Sequence, residues 1–187
     1  YAVARRGTMR TRPDILERAV LIACLAPLEN PEQGHELLAT IERCDEIRAA
    51  SGRPKIFEPA QAWRYLVVGL LHYRTGDHEK AEAAFSQSLR SMEEGNQREN
   101  APEDRARVNF YRAMNMLKHG KADEGRQLCD DANKMLTPPP SAEQPLFRNQ
   151  GPPKYLLAAW LAQREATALY QQQVSGRQLP SMAGGQE

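Results

Sequence analysis

The sequence predicts an all-α fold in which antiparallel helix pairs stack on one another. Apolar residues recur every three or four residues and hardly anywhere alternate, which is typical of helices with one buried face. Glycines and prolines lie between these periodic segments, where helices begin and end. The pattern of small and large residues over 66–89 also recurs further along the chain. Together these observations indicate repeated helical hairpins.

The sequence predicts seven helices. The longest strongly apolar run, Ala19–Leu28, begins in the first helix and is broken by Pro27. The second begins with a capping box, because Asn30 can cap it, Pro31 suits its first position and Gln33 can return a hydrogen bond. The predicted helices are about Pro13–Ala26, Pro31–Ala50, Ala60–Thr75, Asp77–Glu94, Glu103–His119, Lys121–Leu136 and Lys154–Gln173.

Glycine and aspartate separate the central helices. Gly76 and Gly120 each follow a helical run and suit the left-handed backbone that ends many helices. Asp77 can accept backbone N–H bonds at the start of the fourth helix. The apolar face of the second helix carries Leu37, Leu38, Ile41, Cys44 and Ile47, that of the fourth carries Ala81, Ala84, Phe85, Ser88, Leu89 and Met92, and that of the sixth carries Leu128, Cys129, Ala132 and Met135.

The helices are expected to form one domain over 13–173, with three hairpins at about 13–50, 60–94 and 103–136 and a capping helix at 154–173. Polar residues over 91–102 predict a loop, and the prolines of 137–153 exclude one continuous helix. An N-terminal arm over 1–12 and a polar tail over 174–187 are expected outside the domain.

An internal repeat supports the hairpins. Gly120 lies 44 residues after Gly76, and at this offset small residues match small ones across the two units. Gly69 then matches Ala113, and Ala81 matches Gly125. Small residues allow close approach of the two helices in a hairpin, while Phe85 fills the space beyond them. The structural repeat positions predicted are Gly69, Gly76, Ala81, Phe85, Ala113, Gly120, Gly125 and Ala132.

The segment 66–89 resembles the tetratricopeptide repeat, with Gly69, Tyr73, Gly76, Ala81 and Phe85 near the spacings of that family. Tyr73 stands one place later than in the commonest form. The second unit resembles it less, because a cysteine replaces the aromatic residue and a glycine replaces the alanine. The resemblance implies a right-handed stack of hairpins that acts in protein–protein interaction.

A broader resemblance covers 14–170. The segments ERAVLIACLAPLENPEQ, HYRTGDHEKAEAAF and PPKYLLAAWLAQREATALY are similar to the C-terminal helical-repeat region of large planctomycete-type bacterial proteins. In those proteins the region often follows a WD-repeat propeller or a protein kinase domain. The resemblance implies an interaction module whose last helix caps the stack, and it names no partner.

Composition restricts the partners. Of 187 residues, 25 are basic and 24 are acidic, whereas nucleic-acid-binding domains usually carry a clear cationic excess. No nucleic-acid partner is therefore expected. The apolar run of the first helix is too short to span a bilayer, so no membrane insertion is expected. The one basic cluster is interpreted as part of a solvated arm, and it consists of Arg5, Arg6, Arg10 and Arg12.

The three cysteines, Cys24, Cys44 and Cys129, are odd in number and widely spaced. They form neither a disulfide framework nor a C-x-x-C metal motif. Each lies on the apolar face of a predicted helix and is expected to be a small buried residue. A reducing compartment, and hence a cytoplasmic location, is the expectation.

In a stack of this kind the first helix of each hairpin lines the concave face. A preformed groove there is predicted to bind a peptide or helix of a partner protein, with apolar contact area and cations that hold a carboxylate. The alternative is that these side chains belong to the core and that 137–153 or the tail fills the groove. The residues of this predicted groove are Trp63, Leu66, Leu70, Tyr73, Arg74, Arg107, Phe110, Met114, Leu117 and Lys118. Family members that bind chaperone tails use a two-carboxylate clamp, which is missing because Leu70 and Met114 occupy the asparagine positions.

No catalytic, cofactor or metal motif is found in the sequence, so the chain is predicted not to be an enzyme and to bind no cofactor. The histidines His35, His72, His78 and His119 are dispersed and lack metal-ligand spacing. Two alternatives stay open. One is a structural subunit held in an assembly through its termini and convex face, and the other is an enzyme or ligand-binding protein on a helical-repeat scaffold.

Overall fold

The computed structural model describes residues 13–50, 58–95, 101–139 and 154–177. The predicted arm over 1–12, most of the segment 137–153 and most of the tail lie outside these residues. Within them every element of regular secondary structure is an α-helix, which confirms the all-α prediction. The helices are α1 (Pro13–Cys24), α2 (Pro31–Ala50), α3 (Glu58–Thr75), α4 (His78–Glu94), α5 (Pro102–Lys118), α6 (Ala122–Met135) and α7 (Lys154–Arg177).

Consecutive helices pair in three hairpins, α1 with α2, α3 with α4 and α5 with α6. Neighbouring hairpins pack through α2 against α3 and through α4 against α5, while α1 also contacts α3. The last helix, α7, packs mainly against α5 and only slightly against α6. One apolar core runs through the hairpins, and its centre is formed by the side chains of α3 and α5.

The helix ends follow the local signals of the sequence. At the start of α2, Asn30 Oδ1 accepts a hydrogen bond from Gln33 N at 2.9 Å, and Gln33 Oε1 accepts one from Glu29 N at 3.2 Å. Asp77 caps α4 by accepting from Lys80 N at 3.3 Å. The predicted caps at Asn30 and Asp77 are therefore confirmed, while the return bond from Gln33 reaches Glu29, one residue before the cap of α2.

Gly76 and Gly120 end α3 and α5 with a φ of 83° each, a backbone conformation that residues with a Cβ rarely adopt. Asp77 N then donates to His72 O at 2.9 Å and Lys121 N to Met116 O at 2.9 Å, which closes the two equivalent turns. These predicted helix ends are confirmed.

Close contacts at small residues hold the hairpins together. A Cβ at Gly69 would lie 2.6 Å from Cδ1 of Phe85, so the aromatic ring of α4 lies directly on the glycine of α3. A Cβ at Gly125 would lie 2.8 Å from the carbonyl oxygen of Ala113, which brings α6 against the backbone of α5. Ala81 and Phe85 have no exposed surface. Glycine is thus required at both positions by the neighbouring helix.

Some boundaries differ from the prediction. Helix α1 ends at Cys24, two residues before the predicted end, because Pro27 disfavours helical backbone in the residue before it. Helix α7 continues to Arg177, beyond the predicted end at Gln173. The Nε2 of Gln173 donates to Leu117 O at 3.1 Å, so the last turns of α7 are held against the end of α5.

Candidate functional site

The side chains of the predicted groove are mostly buried, and an open groove is therefore wrong for this chain. Of the ten residues, Lys118 is exposed, and Trp63 and Arg74 are half-buried. The aliphatic and aromatic members belong to the central core instead. The groove residues that are buried are Leu66, Leu70, Tyr73, Arg107, Phe110, Met114 and Leu117.

Helix α7 covers much of this surface. One face of α7 carries four buried alanines, at intervals of one, three and four residues, and packs against α5. Small side chains let two helix backbones approach closely, so α7 lies close against α5 and leaves no open groove there. The four are Ala158, Ala159, Ala162 and Ala166. The sequence predicted this helix as a cap at the end of the stack, whereas α7 packs mainly along α5.

Arg74 was predicted to hold a partner's carboxylate, and it holds one from its own chain. Its guanidinium forms two hydrogen bonds with the carboxylate of Glu165 on α7, one of them from Nη2 to Oε2 at 2.7 Å. Both Nε and Nη2 also lie 3.4 Å from Cys24 O at the end of α1. Burial acts to lower the pKa of Arg74, but the hydrogen bond and charge of Glu165 outweigh it and raise that pKa. Arg74 therefore joins α1, α3 and α7.

Arg107 is also unsuited to hold a partner, because only 7% of its surface is exposed. Its Nη2 donates to Asp104 Oδ1 at 2.8 Å, within α5. Burial lowers the pKa of Arg107 and raises that of Asp104. Its Nε and the hydroxyl of the next-turn Tyr111 have no hydrogen-bond partner among the described residues, and both atoms are enclosed.

A different surface is available, and sequence reasoning missed it. On the side of α7 away from its alanines, Leu157 and Leu161 are 52% and 40% exposed. They stand four residues apart, so their side chains are neighbours on the helix. The exposed Arg164 follows on the same side. We call Leu157, Leu161 and Arg164 the α7 leucine surface. The signal for it lay in the segment 156–166, whose alanines and leucines fall on different sides of a helix.

The buried cysteines are expected to be unreactive thiols. Burial raises the pKa of Cys24 to about 12 and that of Cys44 to about 11. Because the thiolate is the reactive form of cysteine, neither residue is suited to nucleophilic chemistry or metal binding near neutral pH. All three cysteines are free thiols and buried, as the sequence predicted.

The histidines are less dispersed than the sequence suggested. The rings of His78 and His119 approach with their centroids 5.7 Å apart. His72 instead lies 3.9 Å from a carboxylate oxygen of Asp77. The described part of the chain contains no group of three or more histidine, cysteine or acidic side chains placed to hold a metal ion.

Comparisons with known proteins identify no relative. No family model matches the chain, and no curated protein or solved structure matches it either. Within the described residues, no helix combines the length and apolar character needed to cross a membrane.

Proposed function

We propose that this chain is a non-catalytic protein–protein interaction module, built as a tetratricopeptide-like stack of helical hairpins. Its partner is a protein, and the contact is made through the α7 leucine surface. The observation that carries the proposal is the exposure of Leu157 and Leu161 on a helix whose opposite side is buried against α5.

The order of the helices supports the stack. The second helix of each hairpin packs on the first helix of the next, as α2 does on α3 and α4 on α5. The contact of Gly69 with Phe85 and the turns at Gly76 and Gly120 occur where the resemblance implies them. Such hairpins bury a continuous core only when several stack together.

The exposed leucines support a binding role. Single exposed apolar residues are common, but adjacent ones on a helix form a continuous apolar surface whose exposure to water is unfavourable. Leu157 and Leu161 could insert between the apolar side chains of a partner helix, with Arg164 beside them to pair with a carboxylate. Because α7 is already folded against α5, binding requires little further ordering of this helix.

The test replaces the exposed leucines by charged residues and uses a matched control on the same helix. The double variant Leu157→Glu, Leu161→Glu is expected to lose the partners that the wild type captures by chemical cross-linking in native extracts. The control Gln171→Glu, Gln172→Glu changes two other exposed residues of α7 and is expected to keep them. Retention of every partner by the folded leucine variant would exclude the proposed contact.

A second candidate function is that of a subunit in a permanent assembly. It is favoured by the burial of the predicted groove, because α7 and α1 occupy the face that a transient peptide would need. A permanent assembly predicts that the partner co-purifies with the chain at constant stoichiometry through gel filtration. A transient module predicts that the partner is lost on dilution.

A further inference from the structure

Two histidines from different hairpins meet where α4 begins and α5 ends. His78 is the first residue of α4, and His119 is the residue that caps the C-terminal end of α5. Their ring centroids are 5.7 Å apart and the ring planes are inclined by 51°. His78 is half-buried and His119 is exposed, so the space beside the two rings is open to solvent.

The ring of His78 is held in a defined orientation by Asn115. The side chain of Asn115 is 2% exposed, and both ends of its amide are engaged by His78. Its Nδ2 donates to His78 O at 2.9 Å, and its Oδ1 lies 2.8 Å from His78 Nδ1.

These two contacts determine which ring nitrogen of His78 carries the proton. Because Nδ2 is used as a donor to a carbonyl, the other end of the amide is the acceptor Oδ1. His78 Nδ1 must then donate its N–H to Oδ1. In the neutral ring, Nε2 is left with a free lone pair. Histidines that bind metal ions are commonly oriented in this way, by a hydrogen bond from the second ring nitrogen to a protein oxygen.

The separation of the rings suits two ligands on one ion. With Zn–N distances of about 2.0–2.1 Å and tetrahedral angles, the centroids of two ligating imidazoles lie roughly 5 Å apart. The observed separation of 5.7 Å is close to this value, and the exposed side chain of His119 is free of close packing among the described residues that would fix its ring. Imidazole nitrogen is a preferred ligand for zinc and copper ions.

From this geometry we propose that His78 and His119 form a two-histidine site for a divalent transition-metal ion of the zinc and copper class. The described residues contain no group of three or more histidine, cysteine or acidic side chains that could hold a metal ion. Water or a partner's side chain therefore completes the coordination. The bound ion would connect the start of α4 to the end of α5 and so link two hairpins. The site lies away from the α7 leucine surface, and the inference is independent of the proposed interaction.

The first experiment is calorimetric titration of the full chain with Zn²⁺. The wild type is expected to bind one ion, and His78→Gln and His119→Gln are each expected to weaken binding at least about tenfold. The double variant should bind no more weakly than the weaker single variant, because either change destroys the chelate. The control His35→Gln alters an exposed histidine on α2 and should keep the wild-type affinity. Additive losses, an effect of His35→Gln, or undiminished binding by His119→Gln would each overturn the site.

A second measurement separates a bound ion from a purely structural role of Asn115. Asn115→Ala is expected to weaken Zn²⁺ binding about tenfold in chains that remain folded by circular dichroism, since the His78 ring loses its fixed orientation. A residue that only ties α5 to α4 would change the unfolding free energy and leave this affinity unchanged. Electron paramagnetic resonance with Cu²⁺ should show two coordinated nitrogens in the wild type and fewer in His119→Gln. A one-nitrogen spectrum in the wild type would contradict the proposal.

Discussion

Arg74 on α3 and Glu165 on α7 form a two-bond ion pair across the face that the sequence predicted to be an open groove. The side chain of Arg74 is 6% exposed and that of Glu165 is 24% exposed. The pair is therefore partly shielded from solvent, and it joins two helices that are 91 residues apart at these positions.

We expect Glu165→Gln to lower the free energy of unfolding by about 2–4 kcal/mol. Removing one partner leaves the Arg74 guanidinium enclosed without a counter-charge, which costs about 3–5 kcal/mol for a fully buried pair. The lower estimate allows for the exposed part of Glu165, where water screens the charge. Urea unfolding followed by circular dichroism at neutral pH would measure the change.

A surface ion pair provides the matched control for this change. Glu93 accepts a hydrogen bond from Arg105 at 3.0 Å, with 56% of the Glu93 side chain exposed. Glu93→Gln is expected to cost less than about 1 kcal/mol. Equal effects of Glu93→Gln and Glu165→Gln would show that the Arg74 pair contributes no more than a solvated one.

The sequence predicted the hairpins well because their signals are local. A capping box at Asn30, a cap at Asp77 and left-handed glycines at 76 and 120 act within a few residues of the chain. The contact of Gly69 with Phe85 also follows from spacing, since both residues lie in one hairpin. Local backbone chemistry therefore determined the part of the fold that sequence could predict.

The position of α7 could not be predicted in the same way. Periodicity identifies the buried face of a helix, but it does not say which neighbour covers that face. The apolar residues Leu70 and Met114 suit an open groove and a core equally well. Which of the two forms depends on the packing of α7 against α5. The meeting of His78 with His119 likewise depends on how two hairpins are stacked.

The contact between Gly69 and Phe85 predicts that Gly69→Ala destabilises the chain, although alanine favours helices. The added Cβ would lie 2.6 Å from Cδ1 and 2.7 Å from Cε1 of a fully buried ring. Overpacking of this kind costs about 1–3 kcal/mol, whereas the gain in helix propensity is only about 1 kcal/mol. We expect a net loss of up to about 2 kcal/mol in urea unfolding.

A double-mutant cycle isolates the cause of that loss. Phe85→Leu makes room beside position 69, so its cost and the cost of Gly69→Ala should be less than additive. Gly76→Ala is the control, because its Cβ would meet nothing within 4 Å and its cost of about 1–2 kcal/mol comes from the φ of 83° alone. Phe85→Leu should therefore leave the effect of Gly76→Ala unchanged. Strict additivity for Gly69 would contradict the steric explanation.

The buried carboxylate of Glu17 predicts a second sensitive site at the other end of the chain. Glu17 is 5% exposed and accepts hydrogen bonds from Arg48 at 2.7 Å and Arg64 at 2.6 Å, so it joins α1 to α2 and α3. Glu17→Gln removes the buried charge between two guanidinium groups, which then keep the more exposed carboxylate of Asp45 as a counter-charge. We expect a loss of about 2–4 kcal/mol in the free energy of unfolding.

Hydrogen exchange would show whether this loss is local. Faster exchange of the α1 amides is expected in Glu17→Gln, because this network joins α1 to both α2 and α3. The exposed Glu46 on α2 is the control, and Glu46→Gln should leave the α1 amides protected. Uniform acceleration in every helix would instead indicate global destabilisation without a special role for α1.

The burial of His72 predicts that stability falls as the pH is lowered through the range near 6.5. Burial lowers the pKa of His72 below the ordinary value of 6.5, although the charge of Asp77 opposes the shift. Protons therefore bind the unfolded chain more readily than the folded one, and the free energy of unfolding rises with pH between the folded pKa and 6.5. Urea unfolding at about pH 7.5 and about pH 5.5 should show wild type losing more stability on acidification than His72→Gln. Because each chain is compared with itself at two pH values, any pH-independent effect of the substitution cancels. Parallel losses in the two proteins would mean that His72 binds protons equally in the folded and unfolded states.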